Sequence, residues 1–173
     1  MTGKLPDDRD VADLLDGLAR FVDGAIIPLE RHNSELFADR RGAFYDDRGG
    51  YSTAVVALIR RVRTESASAG YYTMFCPEEI GGGGLGRRAE LLAHEFLARR
   101  YGPAYMLPHE VIAHWAFGPS FLCSHFTAAL RRSLLDAVVS GRVGMCFGMS
   151  EPDAGSDVWM MSTRATRDGE GWC

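Results

Sequence analysis

Lysine is almost missing from this chain; arginine supplies nearly all of its positive charge. Even so, 19 basic residues are outnumbered by 23 acidic ones, for a net charge of −4 at pH 7. That balance gives a general nucleic-acid role no electrostatic support, because such proteins gather positive charge on one face. The one local cluster, Arg60, Arg61 and Arg63, reads as a solvated helix face rather than an anion site. Long apolar runs are missing as well. No stretch approaches the roughly 18 residues a membrane-spanning helix needs. The polar, acidic opening from Met1 to Asp10 lacks the apolar core of a secretory signal, so none is expected. Cysteine is sparse and scattered: Cys76, Cys123, Cys146 and Cys173 form no Cys-x-x-Cys pair. Reduced thiols in a cytoplasmic protein are expected, not a zinc site or a disulfide framework.

What is present is the composition of an ordinary folded protein. Hydrophobic residues make up 46% and charged residues 24% of 173, enough for one domain to one and a half. Several patterns imitate known sites without meeting their chemistry. Gly81, Gly83 and Gly86 have the G-x-G-x-x-G count of a dinucleotide-binding loop. Such a loop follows a buried strand and precedes an acidic residue by about twenty positions. Here the preceding run is short, no acid lies near position 106, and Glu78 and Glu79 put negative charge where a pyrophosphate would approach. A flexible loop is the expectation. His109 and His114 are five residues apart, which on a helix points them about 140° away from each other and argues against joint zinc ligation. His32, His94 and His125 have no partner at ligand spacing, so no metal site is expected. Ser66 and Ser68 lack a nucleophile-elbow context. Trp115, Phe117 and Phe121 are expected in the core.

Apolar residues recur at helical spacing through the first 140 positions. Asp7 and Asp8 can cap a helix running to about Glu30, with Val11, Leu14, Leu15, Leu18, Phe21, Val22 and Ile26 on one stripe. Pro28 bends that helix or marks its last turn. Residues 39–50 read as a loop. Residues 53–69, ended by Gly70, form a second helix, and 88–101 a third with Leu91, Leu92, Phe96 and Leu97 inward. Shorter helical pieces follow at 109–115 and 117–123. Ser124 can cap a last helix over 126–139, closed by Gly141.

After Gly141 the period changes to two. Val143, Met145, Phe147 and Met149 fall on one face, and Gly144, Cys146, Gly148 and Ser150 on the other, the mark of a half-buried strand. Residues 158–166 read as a second strand, and Asp168-Gly169-Glu170-Gly171 as a turn into a third. The change of period places a boundary between an all-α domain, 1–140, and the start of a β-domain, 141–173. The latter is incomplete, since two strands are marginal alone. The fold class is mainly α.

Between the two strands lies Ser150-Glu151-Pro152-Asp153-Ala154-Gly155-Ser156-Asp157. Pro152 fixes one φ angle and Gly155 is free to take a positive one, so the chain turns here. Exposed N–H groups, the Ser150 and Ser156 hydroxyls and the flat glycine-bearing face before them make a cradle for a polar-edged ring and its phosphates. The same hydroxyls can instead bond local backbone and merely cap the turn. Residues 146–157 closely resemble a signature of the flavin-dependent acyl-CoA dehydrogenases. So do Ser162-Thr163-Arg164-Ala165-Thr166 and Asp168-Gly169-Glu170-Gly171-Trp172. Upstream, Pro77-Glu78-Glu79-Ile80-Gly81-Gly82 resembles that family's Pro-Glu-Glu-aromatic-Gly-Gly loop, with Ile80 at the aromatic position. The likeness runs in order and spacing through nearly the whole chain.

The resemblance implies an N-terminal helical domain of the acyl-CoA dehydrogenase type, followed by the first strands of a middle β-domain and then truncated, as in a fragment. It implies FAD as the cofactor. Phe147 and Met149 would lie along the isoalloxazine, the Ser150 hydroxyl and N–H would bond the flavin's polar edge, and Ser156 would sit by FAD and the phosphate-bearing end of the acyl-CoA. The family often has threonine where Ser150 stands; the hydroxyl is kept. The implied reaction is α,β-dehydrogenation of an acyl-CoA thioester in fatty acid metabolism, with electrons passing to an electron-transfer flavoprotein. A homo-oligomer of two or four chains is implied at full length. The family's catalytic glutamate lies beyond Cys173, so no catalytic residue is assigned here, and Glu151 reads as structural. The chain alone is therefore expected to be inactive. An acyl-CoA oxidase on the same scaffold and a non-catalytic helical binding or assembly module are the alternatives.

Overall fold

The computed structural model describes residues 6–38 and 43–172. Part of the polar N-terminus, residues 39–42 of the first loop, and Cys173 lie outside the described residues. The first helix, α1 (Asp8–Phe21), begins where a capping box can form. The Asp7 carboxylate accepts the N–H groups of Arg9 and Asp10, both at 3.0 Å, and the Asp10 carboxylate accepts that of Asp7. The helix then passes through one π turn, Val22–Ile26, into α2 (Ile27–His32). Pro28 has no N–H to give the carbonyl four residues back. The wide turn ahead of it, with Ile27 N–H bonded to Val22 C=O, absorbs that mismatch without ending the helix. The short α3 (Ser34–Ala38) follows. Within the loop read over 39–50, Phe44 is buried and packs edge-on against Phe37, Tyr45 and Tyr51.

Helix α4 (Thr53–Ser68) is capped by Ser52 and closed by Gly70 at φ 85°, and α5 (Gly86–Tyr101) packs on α1 and on the chain that follows α5 itself. Leu18, Val22 and Ile26 meet Val55, Ile59 and Val62 of α4 and Ala93, Leu97 and Tyr101 of α5 in one core. Leu107, Val111 and Ile112 close it. Each fully buried aliphatic side chain there contributes about 1.5–3 kcal/mol. The inward face of α5 differs from the expected one. Leu91 is 69% exposed, and the buried stripe is Ala89, Ala93, Leu97 and Tyr101, at strict four-residue spacing. Small alanines there let the backbone of α5 approach the core closely, and Leu92 and Phe96 are left half-buried at its margin.

The pieces expected over 109–115 and 117–123 are 3₁₀ turns, Leu107–Glu110 and Phe121–His125, joined by irregular chain. Pro103, Pro108 and Pro119 deny this region the donors a longer helix requires. The last helix runs through α6 (Ala128–Leu130), a π turn at Arg131–Leu135 and α7 (Asp136–Val139). Its cap is Thr127, not Ser124: the Thr127 hydroxyl accepts the Leu130 N–H at 3.3 Å. Gly141, at φ 74°, closes it as expected. Val138 and Cys123 build a second core with Tyr72, Cys76, Ile80 and Ala113.

The tail departs most from expectation. Residues 143–149 form no strand among the described residues. A strand is held by a neighbour's ladder, and here just two N–H groups reach the body, Val143 at Ala137 C=O, 3.0 Å, and Met145 at Phe117 C=O, 2.9 Å, on two different segments. Residues 158–166 likewise form no strand; they open with a 3₁₀ turn at Val158–Met160. The expected turn at Asp168–Gly171 does form. It joins β1 (Arg167–Asp168) to β2 (Gly171–Trp172), antiparallel, with Gly169 at φ 58°. The chain is thus mainly α, with its first short strands after the helices.

Candidate functional site

The 150–157 turn is tied at both ends by its acids. Glu151 and Ala154 exchange backbone hydrogen bonds at 2.9 and 3.2 Å, and the Ala154 side chain is buried. One oxygen of the Glu151 carboxylate accepts the Ser162 N–H at 2.9 Å and its hydroxyl at 3.2 Å; the other accepts the Thr163 N–H at 2.9 Å. Hydrogen bonds from the Thr163 side chain, then from the Ser162 and Thr163 backbone, hold its pKa down at about 2. Asp157 accepts the Trp159 N–H at 3.1 Å. Glu151 is therefore structural, as its place in a turn suggested. Ser150 and Ser156 do none of this capping. Both are exposed, and neither hydroxyl has a partner among the described residues.

Just before the turn, Phe147 stands edge-on to Trp115, ring centroids 4.8 Å apart. Met149 is half-buried. Phe117 stacks on His114 at 5.2 Å, which in turn touches Trp115. Trp115, Phe117 and Phe121 were expected in the core, yet they are 41%, 52% and 49% exposed. In this irregular stretch no helical period fixes which way a side chain points. The core positions go to Val111, Ile112, Ala113, Ala116 and Cys123. Sequence reading thus missed an exposed aromatic strip running from Phe117 through Trp115 to Phe147. Its only signal was the crowding of aromatics between Pro108 and Phe121.

The remaining sequence candidates are structural. The glycine loop is tightly bonded rather than loose. The N–H groups of Gly81, Gly82, Gly83, Gly84 and Leu85 all reach carbonyls between Thr73 and Glu78. A Cβ at Gly82 would collide with the Cys76 backbone, and one at Gly83 would lie 2.6 Å from Met74 C=O. Those donors face inward and offer nothing to a phosphate. Arg63 leaves the solvated face expected for it and pairs with Glu110 through two hydrogen bonds at 2.7 and 3.0 Å. Arg60 and Arg61 stay exposed. Ser66 donates to Val111 C=O at 2.6 Å in the core. Burial pushes the Cys76 thiol up to about 12, which removes it as a nucleophile. Among the described residues, no three His, Cys, Asp or Glu side chains group to hold a metal ion, and no helix is long and apolar enough to cross a membrane.

Over most of its length the chain is similar to acyl-CoA dehydrogenases, as its motifs led us to expect. It is 32% identical over 108 residues to acyl-CoA dehydrogenase FadE12 of Mycobacterium tuberculosis, covering 62% of this chain and 27% of the relative. It is 32% identical over 144 residues to (2S)-methylsuccinyl-CoA dehydrogenase of Cereibacter sphaeroides, covering 80% of this chain and 25% of that protein. With the probable acyl-CoA dehydrogenase FadE25 of M. tuberculosis it shares 28% identity over 169 residues, 98% of this chain and 37% of the relative. The chain therefore spans between a quarter and two-fifths of the length of these relatives. No protein-family model and no solved structure matches it.

Proposed function

We propose that this chain is the flavin-edge portion of an FAD-dependent acyl-CoA dehydrogenase, with an all-α domain over 1–140 and the opening of a β-domain over 141–173. The observation that carries the reading is the 150–157 turn. Its acids do the capping, and its two serine hydroxyls are left free on the turn that follows Phe147 of an exposed aromatic strip. That arrangement fits FAD: donors for a polar ring edge and for phosphate oxygens stand next to apolar faces for the ring. Ser150 would bond the flavin's edge, Phe147 and Met149 would flank its plane, and Ser156 would serve the phosphate-bearing end of cofactor and thioester. The chemistry FAD supplies in such a site is acceptance of a hydride from the β-carbon of an acyl thioester as a carboxylate base takes the α-proton. This chain's own residues orient and bind; no described carboxylate is assigned as that base, Glu151 being fully engaged. The same reading places the protein in the cytoplasm, gives it an electron-transfer flavoprotein as acceptor, and makes it a homo-oligomer.

Titrating the chain with FAD and following flavin fluorescence tests this. Quenching that Ser150→Ala/Ser156→Ala weakens supports the assignment. Quenching indifferent to that double change overturns the residue roles, and no binding at all favours a non-catalytic helical module. Turnover of any acyl-CoA by the pure chain with an artificial acceptor would overturn the expectation that it lacks a base.

A further inference from the structure

Behind Phe117 lies a cavity of about 220 Å³ that the flavin-edge reading does not use, walled by Arg63, Tyr72, His94, Glu110 and His114. Tyr72 is 1% exposed, and its hydroxyl has no hydrogen-bond partner among the described residues. A buried donor without a partner is costly, and such groups call for an explanation. The hydroxyl lies against Gly118, where a Cβ would come within 2.8 Å of it; the glycine keeps its space open. Burial pushes the phenol up to about 12, so it stays a proton donor, and Arg63 acts on it more strongly than Glu110 does. His114 accepts the Ala116 N–H on Nδ1 at 3.2 Å, which leaves its Nε2–H as a second donor. Burial, the chief cause, lowers the pKa of His94 and favours an uncharged ring. The Arg63–Glu110 ion pair, joined through Glu110 Oε2, carries no net charge.

We propose that this cavity binds the uncharged, hydrogen-bond-accepting oxygen of a small polar group, a carbonyl or a hydroxyl, with Tyr72 as its principal donor. The site stands on the cavity alone. Its extension rests on the dehydrogenase reading: the acyl thioester would carry an oxygen along its chain and would not be a plain hydrocarbon. Because Arg63, the cation of the lining, is already paired with Glu110, a carboxylate finds no unpaired positive charge there and is the poorer ligand.

The test is an NMR titration of the chain, labelled at tyrosine and histidine rings, with propionamide, propionate and cyclopentane; it requires neither FAD nor turnover. Propionamide should move the Tyr72 and His114 resonances, and Tyr72→Phe should weaken it about tenfold, the value of one hydrogen bond. Tyr72→Phe removes an unpaired group, so it should fold at least as well as the parent. Gly118→Ala, which crowds the hydroxyl, should weaken propionamide as well. Tighter binding of propionate than of propionamide would overturn the uncharged class. Cyclopentane binding with no loss in Tyr72→Phe, or no response to propionamide, would overturn the site while leaving the FAD result as it stands.

Discussion

The helical body, residues 8–142, and the tail, residues 143–172, derive their order from different sources. The body is held by burial. Three helical stripes and the 3₁₀ turn at Leu107–Glu110 enclose a core in which Leu18, Val22, Ile26, Val55, Val62 and Leu97 have no exposed surface. In the tail, every residue from Gly155 to Trp172 is exposed. Its shape comes from side-chain to backbone bonds, chiefly those of Glu151 and Asp157. The comparison teaches that a signature motif can keep its local turn geometry where almost no apolar packing supports it. The candidate cofactor contacts lie in that tail, and one of them, Phe147, meets a ring of the body, Trp115.

The largest effect that separates the two should come from the core. Leu97→Ala opens a void in the main core and should cost about 2–5 kcal/mol in urea denaturation followed by helix dichroism, with the tail's local bonds unaffected. Glu30→Ala comes next. The buried Glu30 carboxylate accepts the Met106 N–H at 2.9 Å and the Leu107 N–H at 2.7 Å, stitching α2 to the chain after α5. Leaving those donors unpaired should cost about 1–3 kcal/mol, and Glu30→Gln, which keeps an acceptor oxygen, should cost less. The smallest effect belongs to the tail. Glu151 has its pKa depressed from 4.5 to about 2, so its tie is at full strength above 4.5 and is lost as pH falls through about 2. Protection of the Ser162 and Thr163 amides, taken relative to their intrinsic exchange, should fall over that window, and in Glu151→Gln at neutral pH it should fall with the helical melting transition unmoved. A melting transition that falls along with those amides would dissolve the distinction between body and tail.

The body was largely legible in the sequence because its helices are amphipathic. The stripe from Val11 to Ile26, the ends at Gly70 and Gly141 and the kink signal at Pro28 were all readable. What was not readable turned on packing. Leu91 outranks Ala89 in hydrophobicity, yet the close approach of α5 favours the small side chain. Phe44 looked like part of a polar loop, but neighbouring rings bury it. In the tail the reverse held. The alternation of residues 143–149 is a strand pattern, but period two describes a tendency that only a neighbouring ladder fulfils. The motif around Ser150 was legible as a turn. Which of its residues cap the turn and which remain free needed the hydrogen bonds themselves.

Gly82 and Gly83 press so closely on the chain at Cys76 and Met74 that no side chain fits at either position without moving backbone. Every single-base change of a glycine codon that alters the amino acid adds a side chain or ends translation. At these two positions mutation has almost nothing acceptable to offer selection. In any set of chains that keep this body, the pair should read glycine-glycine even where the aromatic strip and the polar cavity have drifted to serve other ligands.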